Sequence, residues 1–164
     1  NAGVSPYFLE YPGTISLRAT TLMDVVEDYI RSLYHHGFRK FVLVNGHGGN
    51  IPARNRVVEV SNQLPEMQAR WYDWWLAHSV QQVAEKHNLK PSHANWLEAF
   101  PFTLVSDVPE EPKIPPTYQG LLNAKETRKV FGDGNYGGPY KVDQAIMDEL
   151  FAASLQDILH LLEF

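Results

Sequence analysis

The sequence contains no cysteine among its 164 residues. This absence excludes disulfides, thiolate-bound zinc and a cysteine nucleophile, so any metal must be held by His, Asp, Glu or water. The sequence also lacks an apolar run near the roughly 20 residues of a membrane-spanning helix, and it has no recognisable signal peptide. Its formal net charge of −5 provides no broad basic surface. We therefore expect a cytoplasmic protein that binds neither nucleic acid nor membranes.

In other respects the composition is that of an ordinary globular protein. The hydrophobic fraction of 44% is typical of a folded protein, and the length suits one domain with its own core. We expect residues 1–164 to form a single domain. The first residue is Asn1 rather than Met, which favours a natural polypeptide that starts earlier.

Helical and strand patterns alternate along the chain. Thr21 and Asp24 are a candidate capping pair for the first helix, which Gly37 would end. Residues 41–44 are a short run of branched apolar side chains, typical of a strand buried on both faces. The segments with these patterns are helices over 21–33, 52–64, 80–87, 125–131 and 142–162, and strands over 41–44 and 67–75. This alternation predicts an α/β layer fold with a mostly parallel sheet.

A glycine-rich loop follows the first predicted strand. In this loop His47 is surrounded by Gly46, Gly48 and Gly49, and it lies at the sheet edge where open α/β folds bind ligands. Glycine lets the backbone approach a ligand closely, and a neutral imidazole there is well presented to a metal. The alternative is a tight strand-to-helix turn with no ligand. A phosphate-binding turn is less consistent, because neither the P-loop lysine nor the Rossmann spacing is present.

Several blocks of the sequence resemble the creatininase (creatinine amidohydrolase) family. They are Tyr-Pro-Gly-Thr-Ile-Ser-Leu at 11–17, Thr-Leu at 21–22, His-Gly-Phe-Arg-Lys at 36–40 and Val-Asn-Gly-His-Gly-Gly-Asn at 44–50. Residues 93–98 are similar to the family's His-Ala-Gly-Glu-x-Glu segment, and residues 132–139 resemble its late glycine-rich loop. The order and spacing of these blocks are those of the family, so the resemblance covers nearly the whole chain.

This resemblance implies a fold, a reaction and a cofactor. The fold is a three-layer αβα sandwich with a mostly parallel sheet. The family uses a pair of divalent metals, usually zinc, manganese or iron, to hydrolyse carbon–nitrogen bonds of small cyclic amides and formamides. A homo-oligomer, commonly a hexamer, is implied as well. The rival hypothesis is a metal-free binding or assembly subunit that keeps the fold without the chemistry.

The resemblance also assigns metal-ligating roles. His47 matches a family histidine that binds metal. Some members carry a ligating Glu at the position of Gly49, and Glu98 is the expected replacement, since a carboxylate pairs well with imidazole at such a site. The alternative for Glu98 is a surface or capping acid, although Trp96, Leu97 and Phe100 give it apolar flanks.

His93 matches a family histidine that moves protons to the leaving nitrogen, a role that suits the imidazole pKa. An exposed histidine in a turn is the alternative. Asn95 and Trp96 replace a family Gly and Glu, and both are expected to reshape the substrate pocket.

The expected substrate contacts come from four residues. Ser5 and Tyr7 occupy a segment near the pocket mouth in relatives, and Gly48 and Trp96 complete the set. The aromatic cluster formed by Trp71, Tyr72, Trp74 and Trp75 is interpreted as core and subunit interface, with stacking on a substrate ring as the alternative.

One part of the family pattern is missing. Its first metal-binding segment, a Glu-x-His followed by an Asp, lies upstream of the Pro-Gly-Thr block, and this sequence begins too late to include it. A longer natural protein, a second chain that supplies the segment, or a relic without metal would each explain the gap; the non-Met start favours the first. We expect residues 1–164 alone to leave a sheet edge or a packing face uncovered.

Overall fold

The computed structural model describes residues 3–164 and contains helices and strands in alternation. The helices are α1 (Ala19–His35), α2 (Pro52–Ser61), α3 (His78–Lys86), α4 (Ala124–Phe131) and α5 (Gln144–Leu161), and the strands are β1 (Lys40–Asn45) and β2 (Gln68–Asp73). Short 3₁₀ turns cover Pro6–Phe8, Gly48–Asn50, Trp74–Leu76 and Trp96–Glu98. Each predicted helix and strand is present, with ends that differ by a few residues.

The start of α1 differs from its prediction. The helix begins at Ala19 after Arg18, and no side chain caps it. Thr21 therefore lies inside the first turn, so the predicted capping pair of Thr21 and Asp24 is wrong. The end of the helix is as expected, because Gly37 follows with a φ of 95°, a left-handed conformation that favours glycine.

The two strands form a parallel pair in which Lys40 lies opposite Gln68 and Asn45 lies opposite Asp73. One face of this pair packs on α1 and α2, since Ile30, Phe41 and Val60 belong to one buried cluster. The opposite face carries α5, which contacts β2 through a hydrogen bond from Tyr72 to the Asp157 carboxylate. Helices thus lie on both faces of the sheet, as the αβα prediction requires.

The cover of β1 is incomplete within the described residues. Val44 is 52% exposed, so the prediction of a strand buried on both faces is wrong at this position. The reason is that the α5 groups that reach this face of the sheet bond to Arg70 and Tyr72 of β2, which leaves the same face of β1 open at Val44. No strand among residues 3–164 pairs with the far edge of β1. No helix in this part of the chain is both long enough and apolar enough to cross a membrane.

A second buried cluster lies between α3 and α5. It includes Val80, Val83, Trp96, Met147 and Leu150, all 6% exposed or less. Trp96 belongs to the turn that follows the 87–95 loop. Its burial in this cluster therefore anchors the end of that loop. The cluster therefore holds the loop that carries His93.

Two buried or hydrogen-bonded tyrosines give a pH prediction. Burial and a hydrogen bond to Asp157 raise the pKa of Tyr72 from 10.0 to about 12. A hydrogen bond to Asp133 raises the pKa of Tyr140 to about 12. Because the fold favours both neutral phenols, their stabilising contribution is complete below pH 10 and is lost as the pH rises towards 12.

Ultraviolet titration of the native protein should show a late tyrosine step. Tyr72→Phe and Tyr140→Phe should each reduce its amplitude, and an unchanged late step in Tyr72→Phe would contradict the assignment.

Candidate functional site

The glycine-rich loop leaves β1 at its carboxyl end and is held by a buried asparagine. Asn45 is 4% exposed, and its Oδ1 accepts hydrogen bonds from the His47 backbone at 3.1 Å and from Asn50 Nδ2 at 3.2 Å. Its Nδ2 donates to Asp73 Oδ1 at 2.6 Å. Asp73 is the register partner of Asn45 at the end of β2. The ends of both strands and the loop are therefore tied together, which fixes the backbone that carries His47.

The segment near the amino end of the described chain packs directly on this loop. The Val4 N–H donates to Asn50 Oδ1 at 2.9 Å, and the Ser5 N–H donates to Ser16 Oγ at 2.9 Å. A Cβ placed on Gly49 would lie 1.8 Å from the Val4 carbonyl oxygen. No side chain fits at position 49 while Val4 stays in place. The glutamate that some family members carry there is thus incompatible with this packing.

The His47 imidazole is held on one side by the same segment. Its Nδ1 lies 3.4 Å from Ser5 Oγ. Burial lowers the pKa of His47, and the nearby His93 lowers it further, while a hydrogen bond to the Val4 backbone and the charge of Glu98 act in the opposite direction. The lowered pKa favours neutral imidazole at pH 7, which is the form that binds a metal.

The His93 imidazole is oriented by the late glycine-rich loop. Its Nδ1 lies 3.1 Å from the Gly134 carbonyl oxygen, and because a carbonyl can only accept, Nδ1 carries the proton. The Phe8 ring stacks on the imidazole with a centroid distance of 4.5 Å and an interplanar angle of 8°. Tyr136 packs at 4.8 Å. These contacts fix the ring plane and leave Nε2 as the basic nitrogen.

The two histidines are neighbours in the wall of one cavity. Their ring centroids are 6.1 Å apart and the rings are inclined at 73°. The cavity has a volume of about 440 Å³, and both imidazoles line it. Its other lining residues are mostly aromatic, glycine or apolar: Tyr7, Phe8, Gly46, Gly48, Gly49, Trp74, Trp75, Leu76, Gln81, Pro91, Ser92, Leu97, Glu98 and Tyr136. Such a concave site with a few convergent polar groups is the usual form of a small-molecule pocket.

Glu98 is the one carboxylate among the described residues that line this cavity. One of its carboxylate oxygens accepts a hydrogen bond from the Ala94 backbone at 2.8 Å. The side chain thus has the capping contact that was the alternative interpretation, and it also lies near His47. Imidazole and carboxylate are a donor set that suits zinc, manganese or iron. Within residues 3–164, however, no three His, Asp or Glu side chains are placed to hold a metal together.

Two predicted pocket residues lie elsewhere. Trp96 is completely buried, its indole N–H donates to the Lys90 carbonyl, and it does not line the cavity. Its predicted contact with substrate is therefore wrong, because the side chain faces the core between α3 and α5. Asn95 is 2% exposed and donates to the Gly137 carbonyl at 3.1 Å. It links the His93 loop to the late glycine-rich loop rather than reshaping the pocket.

The remaining predicted contacts divide into two groups. Tyr7 and Gly48 line the cavity. Ser5 does not line the cavity but contacts the His47 ring. Sequence reasoning missed Phe8 and Tyr136 and gave Trp74 and Trp75 a core or interface role. The tryptophans carried a usable signal, because they directly follow β2 at the same sheet edge as the His47 loop. Tyr136 carried a signal too, because it lies in the late glycine-rich loop, and Phe8 directly follows the predicted contact Tyr7.

Comparison with known proteins identifies the family. The sequence model described as "Creatininase: Creatinine amidohydrolase" matches residues 1–162. The chain belongs to the creatininase family. A creatinine amidohydrolase from Pseudomonas putida is 52% identical over 40 residues, which cover 24% of this chain and 15% of that protein.

Solved creatininase structures have the same fold. The crystal structure of creatinine amidohydrolase (creatininase) matches with a TM-score of 0.71 and 20% identity over 91% of this chain. A mutant creatininase described as Zn-Zn type matches with a TM-score of 0.69, 20% identity and the same 91% coverage. The predicted α/β fold with a parallel sheet is confirmed. The chain spans 64% and 65% of those two structures, which is less than two thirds of their length.

Proposed function

We propose that these residues contribute to the active site of a metal-dependent amidohydrolase that cleaves a carbon–nitrogen bond in a small cyclic amide or formamide. The observation that carries this proposal is the meeting of His47 and His93 in one cavity, with the Nδ1 side of each ring held by neighbouring protein groups. Two oriented imidazoles in an apolar pocket, of which His47 has a lowered pKa, are suited to metal binding and proton transfer. Membership of the creatininase family supports the same reaction class.

His47 and Glu98 are the described residues that would hold a divalent metal. Zinc, manganese and iron all accept imidazole and carboxylate, and two such ions are proposed for the complete protein. A bound ion supplies an acidified water and polarises the substrate carbonyl. Since catalytic sites of this type use about three protein ligands per metal, we infer that the coordination is completed by groups other than these two.

His93 is the proposed proton carrier. Its Nδ1–H is engaged by the Gly134 carbonyl, so Nε2 accepts a proton as the water attacks the amide carbon. The same Nε2–H then protonates the departing nitrogen, which avoids expulsion of an amide anion. Phe8 keeps the ring plane constant during both transfers.

The cavity wall supports a flat, small substrate. Trp74, Trp75, Phe8 and Tyr136 all line it, and aromatic faces bind planar rings by stacking. The 440 Å³ volume is at the lower end of the range for ligand pockets. A small heterocyclic amide therefore suits this site better than a peptide. Assembly as a homo-oligomer, as a hexamer in particular, and a cytoplasmic location stay predictions.

Turnover measurements test this function. The purified protein, supplied with zinc or manganese, is assayed for ring opening of creatinine and other small cyclic amides and for amine release from formamides. We expect hydrolysis of at least one class, and His47→Ala should reduce kcat by about 10²-fold or more because a ligand to the proposed metal is lost. His160→Ala is the matched control, since that side chain is largely exposed on α5. Equal turnover in His47→Ala and His160→Ala would exclude His47 from the mechanism.

A further inference from the structure

The aromatic wall of the cavity is carried by a short turn between β2 and α3. Trp74 and Trp75 belong to this turn and line the cavity. Tyr72 precedes the turn near the end of β2, and Ser79 follows it in the first turn of α3. The positions of these two residues therefore determine where the tryptophan pair stands relative to the histidines.

Both ends of the turn are tied to one carboxylate. Asp157 Oδ2 on α5 accepts a hydrogen bond from Tyr72 Oη at 2.9 Å and another from Ser79 Oγ at 2.5 Å. Tyr72 is only 8% exposed, and the raised pKa of its phenol is consistent with a persistent bond to Asp157. Hydrogen bonds to a charged acceptor are stronger than those between neutral groups. A single side chain thus fixes the distance between the two ends.

A further hydrogen bond links α3 to the turn itself. Gln81 Nε2 on α3 donates to the Trp75 carbonyl at 2.7 Å, and Gln81 also lines the cavity. A shift of the start of α3 would therefore move Trp75 through Gln81 as well as through the chain. Asp157 itself is absent from the cavity lining, so its effect on the pocket is indirect.

We propose that Asp157 is a positioning residue that holds the Trp74–Trp75 wall at a fixed distance from His47 and His93, and so determines which ring sizes the cavity accepts. The ligand class in this statement rests on the proposed function. The placement of the wall does not rest on the proposed function, because it can be measured in the absence of any ligand.

The test compares three variants in protein labelled with fluorotryptophan, with the signals of Trp71, Trp74, Trp75 and Trp96 each assigned by Trp→Phe substitution. Asp157→Leu removes both hydrogen bonds. Asp157→Asn keeps an acceptor oxygen, and one oxygen is sufficient because both donors use Oδ2. Glu149→Gln is the control, since it weakens the contact of α5 with Lys86, the last residue of α3, and with His87, which follows it, without touching Asp157. Fluorine NMR shifts and acrylamide quenching are the measurements.

In Asp157→Leu we expect the Trp74 and Trp75 signals to shift or broaden and their quenching to rise about twofold or more, while Trp96 in the core keeps its signal. Asp157→Asn and Glu149→Gln should match the unchanged protein. Unaltered Trp74 and Trp75 signals in Asp157→Leu, or equal changes at all four tryptophans, would overturn the proposal. If Asp157→Leu does not fold, Ser79→Ala removes one of the two bonds, and the same comparison of Trp74 and Trp75 with Trp96 decides.

Creatinine serves as the ligand probe. The affinity of Asp157→Leu for creatinine should fall about tenfold, since displacement of a positioning group by about 1 Å has effects of this size or larger, whereas that of Asp157→Asn should not. Equal affinity in Asp157→Leu and in unchanged protein would overturn the claim about ring selection. Failure of the unchanged protein to bind or hydrolyse any cyclic amide would count against the proposed function, and the ligand-free tryptophan signals would still decide the placement of the wall.

Discussion

Replacement of His93 by Gln is expected to lower kcat about 10²–10⁴-fold, the usual contribution of a general acid–base group. The reason is that the neutral amide of Gln cannot carry a proton, whereas the His93 ring, which its Nδ1 contact with the Gly134 carbonyl at 3.1 Å orients, can do so at Nε2. Substrate binding should change little, because the aromatic wall is intact. Steady-state kinetics on the best amide substrate measure both effects.

Two controls accompany this prediction. His160→Gln changes an exposed histidine on α5 and should leave kcat unchanged. Circular dichroism and the affinity for zinc should be the same in His93→Gln and in the unchanged protein, since His47 is unaltered. A kcat in His93→Gln within about twofold of the His160→Gln value would rule out proton transfer by His93, because even a weak general acid–base role exceeds that factor.

Replacement of Gly49 by Ala is expected to destabilise the fold by about 1–3 kcal/mol, the usual range for an extra methyl group forced into a packed site. The added Cβ would lie 1.8 Å from the Val4 carbonyl oxygen and 3.1 Å from His47 Nδ1. The contacted atom belongs to the Val4 backbone, which cannot move aside as a flexible side chain can. The segment around Val4 must therefore move away from the loop. Urea unfolding measures the change in the free energy of unfolding.

The loop provides a matched control for Gly49→Ala. A Cβ on Gly46 has no heavy atom within 4 Å, and Gly46 is not among the glycines with positive φ. Gly46→Ala should therefore be neutral, or stabilising by about 0.4–1 kcal/mol through the lower entropy of the unfolded chain. If Gly49→Ala and Gly46→Ala have the same stability, the close packing of Val4 on the loop is wrong. Retention of the Ser5–His47 contact in Gly49→Ala would lead to the same conclusion.

The general course of the fold could be predicted from the sequence. Helical spacing marked the helices and a branched apolar run marked β1, because these patterns reflect which faces are buried. Residues 67–75, which contain β2, were expected as a strand without such a run. The position of His47 followed as well, since a loop after a buried parallel strand lies at the ligand-binding edge. The same rule would have placed Trp74 and Trp75 in the site, but a run of aromatic residues also fits a core or an interface.

The rest of the site depends on contacts between segments that are distant in sequence. Phe8 and His93 are stacked, yet nothing in the local sequence of either predicts the other. Trp96 was expected in the pocket because it replaces a residue of the family's His-Ala-Gly-Glu-x-Glu segment, but the short turn that it opens directs its side chain into the core. Asn95 was expected in the pocket for the same reason. Local spacing indicates which segment approaches the site, whereas the direction of each side chain is set by tertiary packing.

Zinc titration by calorimetry tests the central claim most directly, namely that His47 is a metal ligand in this cavity. We predict that the metal-free protein binds about one equivalent of zinc or more, that His47→Ala abolishes this binding, and that Glu98→Gln weakens it. His160→Ala should bind zinc as the unchanged protein does. Substoichiometric zinc in the unchanged protein, or the same isotherm in His47→Ala, would contradict the account and favour a binding protein without metal chemistry.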